Sequence, residues 1–279
     1  MTILEALERA KRLHAQRARE TVAEDKADTS PIKRRKVEVA PAPMAQLEYA
    51  RLNFDPEICE RNRILISVGP GSLHARAIDS YRILRTRLRS RLGSEASPII
   101  GIVSAGPDEG KSVTAVNLAL AFANEKRRNI FLLDLDLRNP SICRYLGVTP
   151  NVELGNCLAQ AARPEEAFFT TGLGNLVVAG GLQSHDNSSE LLGGVALPEL
   201  ISVIKKSDPH ALIIADLPPL LQSADAMVVA PHLTTTLLVV GEGVTRRENL
   251  NRAAELLQGL PVAGVVLNRS REAIEDYYG

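Results

Sequence analysis

Residues 99–112 constrain the fold of this chain more than any other stretch. Ile99-Ile100-Gly101-Ile102-Val103 is a short run rich in β-branched residues, Ser104 to Gly110 form a turn, and helix-compatible text begins at Lys111 and runs to Asn124. Strand, tight turn and helix in that order turn the backbone N–H groups of the loop and the helix start into one concavity that suits an anion. Lys111 adds a point charge for β- and γ-phosphates, and the Ser112 hydroxyl offers a ligand for Mg²⁺. A chance Gly-Lys-Ser is the bland alternative, and the flanking strand and helix speak against it. One departure is plain: G-x-x-x-x-G-K-[ST] spacing puts a glycine at position 105, where this chain has Ala105, with Gly106 one residue later.

From residue 98 onward, strand and helix patterns alternate. Strands are expected at 99–103, 129–133, 175–178, 211–215, 234–240 and 262–267, with helices at 111–124, 197–206 and 245–258. Near-continuous apolar strands between helices predict an α/β domain: a mostly parallel sheet with helices on both faces, of the P-loop NTPase type. Ligands of such sheets sit beyond the C-terminal strand ends. The loop at 104–112, Asp134 with Asp136, and Asp216 all fall there, so topology alone brings them to one site.

Their chemistry suits a magnesium nucleotide. Mg²⁺ uses one or two carboxylates besides phosphate oxygens and waters. Asp216, after Leu212-Ile213-Ile214-Ala215, takes the position of the acid that holds a metal-bound water. Asp134 and Asp136 are two residues apart on a strand end, so both are expected to face the site. A nucleotide site needs only one such acid. The second is free to act as a base toward an incoming hydroxyl, the alternative being ordinary strand-end polarity.

The rest of the chain adds an N-terminal extension. Residues 1–20 read as an amphipathic helix, with a Thr2/Glu5 capping pattern and Ile3, Leu7, Ala10 and His14 at helical spacing. Docking to a partner or an anionic membrane surface and simple solvation stay open there. Residues 21–60 read as a flexible linker. They hold Thr29-Ser30-Pro31, Ala40-Pro41-Ala42-Pro43 and the basic run Lys33-Arg34-Arg35-Lys36. A helix is expected over 76–92, where Asp79 can pair with Arg82 at i,i+3 and leave Arg85 free for another subunit. Lys+Arg and Asp+Glu both number 33, so no global field steers the protein to nucleic acid. The three cysteines, Cys59, Cys143 and Cys157, have no metal spacing and are expected as buried free thiols in a reducing cytosol. No apolar run approaches the ~20 residues of a membrane span, and Glu5 and Glu8 break up any signal-peptide core. A cytoplasmic protein is expected.

Residues 60–279 resemble the bacterial tyrosine kinases (BY-kinases) of the CpsD/CapB capsular and exopolysaccharide type. The resemblance rests on the loop Ser104 to Ser112, on Leu133-Asp134-Leu135-Asp136-Leu137-Arg138 as that family's second motif, and on Ile214-Ala215-Asp216-Leu217-Pro218-Pro219 as its third. Asp79 to Arg85 is similar to the family's E-x-x-R-x-x-R assembly motif, with Asp for Glu. Asn187 to Leu192 and Gly264 to Asn268 also look like family segments. The resemblance implies a tyrosine autokinase that uses ATP and Mg²⁺ and phosphorylates C-terminal tyrosines between neighbours of a ring. Here those are Tyr277 and Tyr278, next to Glu275 and Asp276. It implies nucleotide contacts from Gly106, Pro107, Asp108, Glu109, Gly110, Lys111, Ser112 and Val113, with Asn268 near the adenine base or simply capping its strand. Metal ligation would fall to Ser112, Asp136 and Asp216, with Lys111, Asp134 and Asp136 at the chemistry and Asp134 as base. Arg138 would pair with site carboxylates or a neighbour's tail. Asp79, Arg82 and Arg85 would serve assembly. A separate membrane protein of polysaccharide export would be the activating partner, recruiting the kinase to the inner face of the membrane.

Two other readings stand beside this one. An ATP-dependent switch of the partitioning and division-site (MinD/ParA-like) kind would carry a second lysine five residues before Lys111, where this chain has Gly106. A catalytically weak ATP-binding scaffold of a polysaccharide machine is the other.

Overall fold

The computed structural model describes residues 49–66 and 74–270, all within the unit Pro43–Gly279. The expected N-terminal helix, the basic run at 33–36 and the tail tyrosines Tyr277 and Tyr278 lie outside the described residues. In chain order the strands are β1 (Ala50–Arg51), β2 (Ile99–Ser104), β3 (Ile130–Asp134), β4 (Phe169–Thr170), β5 (Leu176–Ala179), β6 (Leu212–Asp216), β7 (Thr235–Gly241) and β8 (Val262–Asn268). The α-helices are α1 (Pro56–Arg61), α2 (His74–Leu92), α3 (Lys111–Ala123), α4 (Ile142–Leu146), α5 (Leu154–Leu158), α6 (Ser188–Gly193), α7 (Ala196–Ser207), α8 (Asp225–Val229) and α9 (Arg247–Leu256).

The strands form one sheet in the order β1-β4-β5-β3-β6-β2-β7-β8. Every pairing is parallel except β4 with β5. The phosphate-loop strand β2 lies near the middle, buried along its whole length between β6 and β7. Side chains alternate across the sheet and divide the core in two. Ile99, Val103, Phe131, Leu133, Ile213, Ala215, Leu238 and Val240 pack on one face with Leu197, Leu200 and Ile204 of α7 and Ala253 of α9. Ile100, Ile102, Ile130, Leu132, Leu212, Ile214, Leu237 and Val239 pack on the other with α3 and Leu88 of α2. Apolar groups on both faces explain why these strands read as unbroken hydrophobic runs.

Residues 49–60, expected within the linker, belong to the α/β unit. Asp55 caps α1 by accepting N–H bonds from Glu57 and Ile58 at 2.9 and 3.0 Å, with Pro56 at the first helical position. Cys59 is fully buried. Tyr49 meets Phe131 and Phe168 edge to face, with centroids 6.2 and 5.8 Å away. All three cysteines are buried free thiols. Arg85 also departs from expectation. It is not free for another subunit: its Nε pairs with Glu125 at 3.0 Å and its Nη1 donates to the Ala121 carbonyl at 2.7 Å, tying α2 to α3. The Asp79–Arg82 pair forms as expected, at 2.9 Å, with both side chains exposed. Among the described residues no helix is long and apolar enough to cross a membrane.

Candidate active site

Parallel register builds the centre of the site. Asp134 ends β3, Asp216 ends β6, and the two are direct partners across the strand pair. Lys111 begins α3, so its side chain rises from the loop between them. Its Nζ lies 3.0 Å from Asp216 Oδ1, 3.1 Å from Asp136 Oδ2 and 3.3 Å from the Ser112 hydroxyl. Asp136 also accepts from the Asn139 N–H at 3.3 Å. Asp134 makes no ion pair with the lysine. Its Oδ2 accepts the N–H groups of Ser141 and Ile142 at 2.8 and 2.9 Å. Its Oδ1, like Asp216 Oδ2, is buried without a hydrogen-bond partner among the described residues.

One buried cation therefore faces three buried carboxylates. Burial opposes the Lys111 charge, but Asp216 and Asp136 outweigh it and hold the ammonium above the ordinary lysine range. Burial, reinforced by the neighbouring Asp216 charge, pushes the Asp134 carboxyl up to about 7, against the pull of the Ile142 and Ser141 amides and Lys111. Burial raises Asp216 as well, only partly offset by Lys111 and Ser112. The cluster is short of positive charge, and Mg²⁺ fits that deficit. Among the described residues no three His, Cys, Asp or Glu side chains form a cage for a metal.

The loop holds its shape through its own side chains. The Glu109 carboxylate is buried and accepts N–H bonds from Ala105 at 3.0 Å and Gly106 at 3.2 Å. The Ser104 hydroxyl donates to the Gly106 carbonyl at 2.7 Å. Left-handed backbone occurs at Asp108 (φ 58°) and Gly110 (φ 86°), and not at Ala105. Position 105 therefore has no need of glycine, and its methyl group is fully buried in the core under the loop. Asn268, at the end of β8, donates from Nδ2 to the Glu109 carbonyl at 2.9 Å. Its side chain supports the loop backbone.

A cavity of about 200 Å³ opens above this centre, lined by Gly106 to Val113, Asp136, Arg138, Arg144, Tyr145, Pro218, Pro219 and Arg269. The expected loop contacts and Asp136 are on its wall. Asp134 and Asp216 lie behind it, 1 % and 0 % exposed. Arg138 is anchored from outside the core triad: its Nε donates to the Ser188 hydroxyl at 2.8 Å and lies 3.6 Å from Asp225 Oδ2. Burial alone would raise Asp225. Hydroxyl donors on Ser188, Ser189 and Ser223, with the Arg138 charge, outweigh it and hold this carboxylate below its usual range. Sequence reasoning missed Asp225. The segment Asn187 to Leu192 was its one visible trace, because Ser188 and Ser189 are its partners.

The chain is 28% identical over 222 residues to the tyrosine-protein kinase YwqD of Bacillus subtilis, an alignment covering 79% of this chain and 91% of that protein. It is 30% identical over 199 residues to the succinoglycan biosynthesis transport protein ExoP of Rhizobium meliloti, covering 69% of this chain and 25% of ExoP. It thus spans nearly all of the Bacillus protein and about a quarter of the Rhizobium one. The kinase domain of the Escherichia coli tyrosine kinase ETK superposes with a TM-score of 0.64 at 24% identity, covering 83% of this chain and 94% of that domain, a likeness of fold. The septum site-determining protein MinD from Pyrococcus horikoshii, solved with Mg-ADP, superposes with a TM-score of 0.53 at 27% identity, covering 64% and 74%. No family model matches the chain.

Proposed function

We propose, from its likeness to bacterial tyrosine kinases and their fold, that the chain transfers the γ-phosphoryl group of ATP to protein tyrosines, its own Tyr277 and Tyr278 first among them. The observation that carries this reading is the third carboxylate. Lys111, Asp136 and Asp216 suffice for a nucleotide; Asp134 stands beside them with an unpaired oxygen.

In the proposed reaction, the loop from Gly106 to Val113 surrounds the phosphates, which bind to the N–H groups from Asp108 to Val113 and to the Lys111 ammonium; the Gly106 N–H stays on Glu109. Ser112, Asp136 and Asp216 would hold Mg²⁺, which neutralises phosphate charge when bound. As Lys111 leaves Asp136 and Asp216 for the phosphates, the layer in front of Asp134 opens. The tyrosine oxygen attacks the γ-phosphorus, the bond to the bridging oxygen of ADP breaks, and the phenolic proton passes to Asp134. A group titrating near neutrality is well matched to that task. Transfer occurs in trans within a ring of identical subunits, with the exposed Asp79 and Arg82 of α2 on the assembly face. The succinoglycan biosynthesis transport relative supports a role in exopolysaccharide synthesis and transport; in this reading the kinase works beside a separate membrane protein at the inner face of the membrane.

The test is incubation of the full chain with Mg-ATP, with and without a candidate membrane activator, followed by phosphotyrosine detection. Signal abolished by Lys111→Met and by joint Tyr277→Phe and Tyr278→Phe substitution is expected. ATP hydrolysis with no phosphotyrosine under any condition sinks the kinase in favour of a switch, and binding without turnover favours a scaffold.

A further inference from the structure

Charges that reach solvent around the cavity are unbalanced. Glu109 is buried on loop amides, and Lys111 and Asp136 are paired with each other. What remains exposed on the wall is one acid, Asp108, against three arginines, Arg138, Arg144 and Arg269, of which Arg138 also faces the buried Asp225 carboxylate through Nε at 3.6 Å.

The sheet order separates these three. β3 stands on one side of the loop strand β2, beyond β6, and β8 on the other, beyond β7. Arg269 follows β8. Arg138 and Arg144 follow β3, on the side of Asp134 and Asp136, where an acceptor hydroxyl has to approach.

Both β3-side arginines are held from behind. Arg138 uses Nε on Ser188, whose own hydroxyl donates to Asp225 at 2.6 Å. Arg144 uses Nε on the Pro140 carbonyl at 3.0 Å and Nη2 on the Asn139 side chain at 2.9 Å. Arg138 keeps both Nη groups, and Arg144 its Nη1, without a partner among the described residues. A guanidinium already fixed in place loses little side-chain freedom on meeting a carboxylate, and its planar fork suits one.

We propose that Arg138 and Arg144 form a subsite for acidic side chains next to the acceptor tyrosine, and that its occupant is the segment 275–278 of a second copy of this chain. Glu275-Asp276-Tyr277-Tyr278 places two carboxylates directly before the tyrosines, complementary to two cations on the acceptor side of the cavity. The proposal rests on the kinase reading for its direction of approach. Its content is a binding preference, measurable without turnover.

The test uses the full chain with saturating Mg-ADP and a fluorescent peptide of residues 271–279. This peptide should bind about fivefold more tightly than the same peptide carrying Glu275→Gln and Asp276→Asn, with the difference shrinking as salt rises. Arg138→Gln and Arg144→Gln should each erode the preference. Arg138 also serves the Asp225 cluster, so Arg144→Gln, at an exposed side chain, is the variant that bears on recognition alone. Arg144→Glu should invert the preference toward a peptide with Glu275→Lys and Asp276→Lys. Equal affinity for acidic and neutralised peptides overturns the proposal, as does a preference that survives both arginine variants. Loss of Mg-ADP affinity with peptide preference intact would assign these arginines to the nucleotide and overturn it too. Acidic preference with no phosphotransfer would uphold the subsite and remove the kinase reading.

Discussion

Asp134 and Asp216 are register partners on neighbouring parallel strands, and each keeps one buried carboxylate oxygen with no hydrogen-bond partner among the described residues. Burial first, and the like charge of Asp216 second, push the Asp134 carboxyl up to about 7.

Asp134→Asn therefore separates chemistry from structure. The amide oxygen can still accept from Ser141 and Ile142, and the new NH₂ can face Asp216. Thermal stability should stay equal or rise, and the ATP dissociation constant should change by less than about threefold, while phosphotransfer falls about 10²- to 10⁴-fold. Calorimetry, nucleotide titration and phosphotyrosine assay on one preparation check all three. Undiminished transfer would leave Asp134 as a support for the turn at 141–142.

Gly110→Ala should disable the loop. Its φ of 86° is left-handed, and an added Cβ would lie 1.9 Å from Asn268 Nδ2. Displacing that amide removes the bond to the Glu109 carbonyl and shifts the amides meant for phosphate. A loss of at least about tenfold in nucleotide affinity is expected, about 1.4 kcal/mol. Adding Asn268→Ala relieves the clash and leaves the backbone strain, so recovery should be partial. Titration with a fluorescent nucleotide reads both variants.

Asp225 supplies a prediction in pH. Its folded carboxyl sits below the usual range, so the unfolded chain takes up this proton more readily than the folded one. The stability it confers is fully present above the ordinary aspartate pKa of about 4 and is lost as pH falls through its depressed folded value. Asp225→Asn should cost about 1–3 kcal/mol near pH 7. Its deficit against wild type should shrink below about pH 4. Urea unfolding at two pH values decides it; a deficit that does not vary with pH would count against the ionised cluster.

Arg85→Ala should act inside the subunit. Its ion pair with Glu125 and bond to Ala121 join α2 to α3, with both charged side chains 18 % exposed. A loss of about 1 kcal/mol in unfolding free energy is expected under conditions where the protein is monomeric. An effect on association with no loss of monomer stability would return Arg85 to the interface.

The sheet was legible because its strands are apolar on both faces. β2, β3, β6, β7 and β8 fall within a residue or two of the hydrophobic runs that foretold them, and strand ends with Asp134 and Asp216 put the site where topology said. Helices of five or six residues, such as α4, α5, α6 and α8, are too short to show a helical period. α1 was lost in linker-like text although Asp55-Pro56 is a start signal. The Ala105 anomaly dissolved only with backbone angles in hand, since the loop's left-handed turns sit at Asp108 and Gly110. Asp225 and the Arg85–Glu125 tie depend on partners 36 to 40 residues distant in sequence, beyond the reach of local patterns.

The Glu109 carboxylate, seated on the amides of Ala105 and Gly106, has a kinetic meaning. A cradle braced by its own side chain is already folded before any phosphate arrives, so nucleotide capture would not wait on loop closure. The step that gates entry would be electrostatic: Lys111 exchanging two carboxylates for a phosphate. Association rates should then respond to substitutions at Asp136 more than to solvent viscosity.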